Sequence, residues 1–198
     1  MLNLPNILTL CRILVIPFLV LIFYLPVPWA HPAAAVLFTL ACLTDWLDGY
    51  AARSLKLSTR LGAFLDPVAD KLMVSVVLVL LVGEPQIQMI RFSSTVYAIP
   101  ALAITLPAAI IVSREIIVSA LREWMAEIGK RTSVAVSWMG KVKTTVQMVS
   151  LIVLLYCDAS TPVLIVLIGY LLLYASAVLT IWSMVIYLKA AWPTLREC

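Results

Sequence analysis

Hydrophobic positions gather into six long runs, at about residues 8–24, 33–52, 61–82, 95–112, 134–156 and 162–188, separated by short polar or proline-containing links. A bilayer core about 30 Å thick needs about 20 apolar residues of helix, so each run is read as one span. The fourth continues in helical register through SREIIVSALREWMAEIG, which predicts a helix over 95–128 with Gly129 as its stop. Residues 2–7, LNLPNI, form an amphipathic lead placed at the interface. The stretch 83–94 reads as a polar loop, and 25–32 as a Pro- and Trp-containing turn. The expected fold is an all-α polytopic membrane protein, with six transmembrane helices and a short N-terminal interfacial helix in one domain over 1–198.

The pattern breaks where the second run ends and the third begins, in TDWLDGYAARSLKLSTRLGAFLDPVADK. On a helix advancing about 100° per residue, Asp45, Asp48, Gly49, Ala52 and Arg53 fall within an arc of roughly 140°. Gly62, Asp66 and Asp70 recur every fourth residue and form one ridge of the next helix. Four carboxylates deep in a membrane would cost roughly 10 to 14 kcal/mol if uncompensated. Placement near the interface and bound cations would remove most of that cost. Carboxylate oxygens without neighbouring His or Cys ligands suit hard divalent ions, Mg²⁺ or Mn²⁺ or Ca²⁺, rather than zinc or copper.

Composition agrees with the membrane reading. The chain is 64% hydrophobic and 12% charged, against about 45–50% and 25% in ordinary soluble domains. No internal repeat appears, so an inverted-repeat transporter is not suggested. Cys11, Cys42, Cys157 and Cys198 show no metal-binding spacing, and the single histidine, His31, is assigned no role. The N-terminus lacks the basic region and cleavage site of a removable signal, so the first run is expected to stay. Six spans put both termini on one side, together with the aspartate stretch and thirteen of the fourteen Lys and Arg residues, all but Arg91. By the positive-inside rule that side is cytoplasmic.

The string Asp45-x2-Asp48-Gly49-x2-Ala52-Arg53-x8-Gly62-x3-Asp66-x3-Asp70 resembles the signature of the CDP-alcohol phosphatidyltransferases, with every position filled. The resemblance implies that family's membrane fold, a homodimer in the bacterial cytoplasmic membrane, and metal-dependent transfer of a phosphatidyl group. It implies Asp45, Asp48, Asp66 and Asp70 as ligands of Mg²⁺ or Mn²⁺, two ions, with Asp70 also the base that takes a proton from the acceptor alcohol. Asp48, Gly49, Ala52, Arg53, Thr59 and Gly62 would bind CDP-diacylglycerol. Membrane lipids are expected partners and nucleic acid is not.

Phosphoryl-type displacement also needs cations for the acceptor if the acceptor carries a phosphate. Arg114 and Arg122 lie about 80° apart on one predicted helix, and Lys141 and Lys143 begin the next. Arg12, near the start of the first run, shares a face with Asn6 and Thr9 and is a further site candidate. Anchoring at the cytoplasmic surface is the structural alternative for these cations. The blocks SREIIVSALREW and GKVKTTVQM are similar to those of the family's bacterial members that use glycerol 3-phosphate. That implies transfer to its 1-hydroxyl with release of CMP. Serine, inositol phosphate or phosphatidylglycerol as acceptor is the alternative within the family. A cation transporter would also place aspartates near membrane helices, but would not need the Gly-x2-Ala-Arg insert.

Overall fold

The six apolar runs form six helices: α1 (Leu4–Phe23), α2 (Ala30–Leu55), α3 (Arg60–Gly83), α4 (Leu102–Glu127), α5 (Trp138–Tyr156) and α6 (Val163–Leu195). The computed structural model describes residues 4–55, 60–92, 95–128 and 138–196. For 4–8, 46–55, 60–61, 63–64, 90–92, 95–96, 138–139, 141 and 193–195 it describes the backbone alone.

Three departures from the expected elements have local causes. The amphipathic lead is no separate interfacial helix, because α1 runs unbroken from Leu4. Pro5 sits in its first turn, where a missing N–H costs nothing. The fourth helix starts at Leu102 rather than near Thr95, since Thr95–Ala98 is strand β2. β2 pairs antiparallel with β1 (Met89–Phe92), with Met89 opposite Ala98 and Phe92 opposite Thr95. Thr95, Val96 and Tyr97 favour strands, and the proline at 100 disfavours helix in the residue before it. The polar loop is thus a 3₁₀ turn (Pro85–Gln88) followed by a small hairpin. His31, placed in a turn by the sequence, lies in the first turn of α2, buried edge-on against Phe23.

Among the described residues, Leu102–Glu127 and Val163–Trp192 are long and apolar enough to cross a membrane. Thr9–Phe23, Ala30–Asp45 and Val142–Tyr156 are shorter apolar helices. The apolar part of α2 stops at the first aspartate of the signature. Outward-facing side chains are large and apolar, including Leu14, Phe18 and Leu21 on α1 and Leu164, Leu171 and Val178 on α6, each at least 60% exposed. Such a surface suits hydrocarbon rather than water.

The core is built around Phe38, Val77, Leu81, Ile111, Leu151 and Leu154, drawn from α2, α3, α4 and α5. α5 packs most extensively on α6, α1 lies on α2 and α3, and α4 lies on α6. Apolar side chains gain little from leaving lipid, so close backbone approach and interhelical hydrogen bonds must hold such helices together. At the α5–α6 contact, a Cβ on Gly169 would stand 2.6 Å from Leu154 Cδ2. Beside it the Ser150 hydroxyl donates to the Gly169 carbonyl at 2.9 Å.

Long-range contacts sort into two ends. At one, Tyr170 donates to the Ile87 carbonyl and the Ala159 amide donates to Gln86 Oε1. At the other, α1 meets α2 and α3 through charged groups, and α4 meets α5 and α6 likewise. That charged end holds the signature.

Candidate active site

Arg12 of α1, 3% exposed, pairs through Nη1 with Asp45 Oδ1 of α2. One turn earlier, the Thr9 hydroxyl donates to Asp66 Oδ1 of α3. The helical spacing of Thr9 and Arg12 explains this, since residues three apart share a face and can reach two neighbouring helices. α1 therefore orients two of the four aspartates. Asp45 and Asp70 line a common cavity of about 320 Å³ with Arg12, Cys42 and the α5 hydroxyls Thr144 and Thr145. Asp70 is half-buried and interacts electrostatically with Asp45, Glu115, Arg12 and Lys143. It links this cavity to Lys143 of α5.

The second charged group lies between α4, α5 and α6. Glu115 Oε1 accepts from Lys143 Nζ at 2.5 Å and from Arg114 Nη1 at 2.9 Å. Lys143 is 1% exposed and Arg114 is buried, so both ammonium and guanidinium need such a partner. Arg114 also donates to Ser183 at 3.2 Å, and its guanidinium lies 5.7 Å from the centre of the Tyr187 ring. Arg122 donates to the Tyr187 hydroxyl at 2.8 Å and stacks 5.0 Å from the same ring. Tyr187 thus joins two arginines that stand two turns apart on α4. A further cavity of about 310 Å³ opens between α3 and α4, lined by Glu115, Lys71 and Ser119 among others. Lys71 donates to the Ser119 hydroxyl across it.

Arg114 and Lys143 are thus brought together, and Arg122 joins them only through Tyr187. Gly62 is buried one turn ahead of Asp66. Thr59 lies outside the described residues, and for Asp48, Gly49, Ala52, Arg53 and Lys141 the description stops at the backbone. Among the described residues, no three acidic, His or Cys side chains gather as a metal-binding group. Asp45 and Asp70 do face one cavity, and their donors are hard oxygens of the kind Mg²⁺ and Mn²⁺ take. Thr9, Glu115 and Tyr187 had no place among the predicted site residues. Thr9 had a usable signal, its shared face with Arg12. The other two become visible only once α4, α5 and α6 are packed.

A carboxylate-lined cavity at one end of an apolar helical bundle, flanked by buried cations, defines a class. The chain belongs to the CDP-alcohol phosphatidyltransferase family, whose model matches residues 2–182. Three relatives narrow the comparison. One from Yersinia enterocolitica is 54% identical over 99% of this chain and 98% of its own. One from Yersinia pestis is 53% identical with the same coverage. One from Shigella flexneri is 51% identical over 96% of this chain and 94% of its own. All three bear the name CDP-diacylglycerol--glycerol-3-phosphate 3-phosphatidyltransferase.

Proposed function

We propose that the protein transfers the phosphatidyl group of CDP-diacylglycerol to the 1-hydroxyl of sn-glycerol 3-phosphate, releasing CMP. Both substrates appear in the name its relatives share. The activity is that of a phosphatidylglycerophosphate synthase, the committed step toward phosphatidylglycerol and cardiolipin. The observation that carries the reading is the position of Asp70, which lines the aspartate cavity and also interacts with Lys143 of the Arg114–Glu115–Lys143 cluster. A carboxylate that faces both the aspartate cavity and the buried cations supports the reading of Asp70 as the group that acts on the hydroxyl of a phosphorylated acceptor.

In this reading Asp45, Asp48, Asp66 and Asp70 hold two Mg²⁺ or Mn²⁺ ions, which when bound neutralise charge on the diphosphate under attack. Arg12 and Thr9 fix the Asp45 and Asp66 carboxylates so that their oxygens face the site. Gly49, Ala52, Arg53, Thr59 and Gly62 receive the nucleotide and diphosphate. Arg114, Arg122, Lys141 and Lys143 receive the acceptor's phosphate, holding its hydroxyl within reach of Asp70. Asp70 takes the hydroxyl proton as the oxygen attacks, and the β-phosphoryl centre passes to glycerol phosphate with CMP leaving. The acyl chains stay in the bilayer, six spans hold the site at the cytoplasmic face of the inner membrane, and both termini are cytoplasmic. A homodimer belongs to the same proposal and rests on the family resemblance.

The test uses purified protein in mixed micelles with CDP-diacylglycerol and Mg²⁺. CMP release is compared for glycerol 3-phosphate, serine, inositol phosphate and phosphatidylglycerol. Release with glycerol 3-phosphate alone, abolished by EDTA, is expected. Preference for another acceptor overturns the glycerol-phosphate assignment, and release that survives EDTA overturns the metal ligands.

A further inference from the structure

The buried cations of the acceptor cluster are already neutralised by a carboxylate of this chain. Glu115 Oε1 takes a hydrogen bond from each of Arg114 and Lys143, the arrangement a phosphate oxygen would adopt. Arg114 and Lys143 carry two positive charges and Glu115 one negative, so a dianionic phosphate monoester bound beside the carboxylate would leave the cluster with net negative charge. Glu115 has somewhere else to go, because it also lines the cavity between α3 and α4, where Lys71 supplies a cation and Ser119 a hydroxyl beside a second carboxylate, Glu123. We infer that Glu115 is a resident competitor at the acceptor site, held by Arg114 and Lys143 until a phosphate monoester displaces it toward the Lys71 side. The inference rests on the acceptor site proposed above and deepens it. An internal carboxylate of this kind sets a charge threshold. A doubly charged phosphate monoester outcompetes it, and weakly coordinating anions do not, so the site gains selectivity through an interaction that any ligand must break.

A competitor and a brace give opposite signs. If Glu115 competes, replacing it with a neutral residue frees both cations and tightens anion binding. If it only braces the helices, the same change loosens the site and weakens binding. Equilibrium binding of radiolabelled inorganic phosphate to the purified full-length protein in micelles distinguishes them without turnover. Glu115→Gln, which keeps an amide oxygen for the two donors, is expected to bind phosphate about fivefold to tenfold more tightly, and to become inhibitable by a singly charged anion such as formate. Glu115→Asp, with its charge kept, is expected to stay within about twofold of the parent. Equal or weaker phosphate binding in Glu115→Gln overturns the inference. Glu115→Ala is the second neutral variant, and failure of both to fold also overturns it, because the carboxylate is then a fixed partner of the buried cations and not one that a phosphate can replace. The underlying functional reading fails separately, when the parent protein releases no CMP with glycerol 3-phosphate.

Discussion

The two charged regions at this end of the bundle are mirror images in charge. Where α1 meets α2 and α3, acids are the majority among the described residues, and Arg12 and Thr9 hold two of them, Asp45 and Asp66. Between α4, α5 and α6, cations are the majority among the described residues, and Glu115 holds two of them, Arg114 and Lys143. Each minority residue prevents like charges from repelling one another before a ligand arrives. The two differ in how they are assembled. The acids sit on two consecutive helices, whereas the cation cluster draws its contacts from three helices and residues as far apart as Arg114 and Ser183. In the proposed reading this is a division of labour, with metals and the diphosphate at the acidic region and the acceptor at the basic one, and Asp70 interacts with charged groups of both.

Altering Asp70 breaks both regions together. Asp70→Asn should lower turnover by about 10³-fold or more, within the range for lost general-base catalysis, with the protein folded and still binding CDP-diacylglycerol. CMP release and lipid binding measured on one preparation check this, and near-parent turnover would remove Asp70 as base. Altering Arg12 strikes the acidic region alone. Arg12→Ala should reduce activity about 10- to 100-fold, as loss of a partner that orients ligand carboxylates does, and should raise the Mg²⁺ concentration needed for half-activity. An unchanged Mg²⁺ requirement would make Arg12 a surface anchor. Tyr187→Phe strikes the basic region lightly, because the ring under both arginines remains and only the hydroxyl bonded to Arg122 is lost. Its Michaelis constant for glycerol 3-phosphate should rise about two- to tenfold.

The smallest effect belongs to the opposite end. Hydrogen bonds from Ser160 and then Thr161 hold the Asp158 carboxyl below the usual carboxylate range. Its folded value is depressed, so its contribution to stability is present above the unfolded value near 3.9 and is lost as pH falls through the lower folded value. Asp158→Asn should leave activity at neutral pH unchanged and flatten the acid limb of the stability profile, which thermal unfolding between about pH 2 and pH 5 would register.

The contrast also explains what the sequence could disclose. The placement of Asp45, Asp66 and Asp70 at one end of the bundle was legible because positions on two adjacent helices obey helical spacing, which a linear string records. The helices were legible because apolar runs of bilayer length leave few alternatives. The hairpin at Met89–Ala98 was not, because two four-residue strands of mixed polarity carry no periodic signal strong enough to set against a neighbouring apolar run. Arg114 and Lys143 were found as residue types, but their shared partner Glu115 was not, since the pairing depends on how α4 rotates against α5. Tyr187 lies 65 positions from the arginine it binds, and nothing local marks it.

Lys143→Ala tests the division of labour most directly, with Michaelis constants measured for both substrates on the same enzyme. Loss of a charge-assisted contact to phosphate should raise the constant for glycerol 3-phosphate about 10- to 100-fold. The constant for CDP-diacylglycerol should stay within about twofold, since none of the lipid's contacts is altered. Equal increases for both substrates would contradict the account, because the acidic and basic regions would then bind the two substrates in common rather than one each.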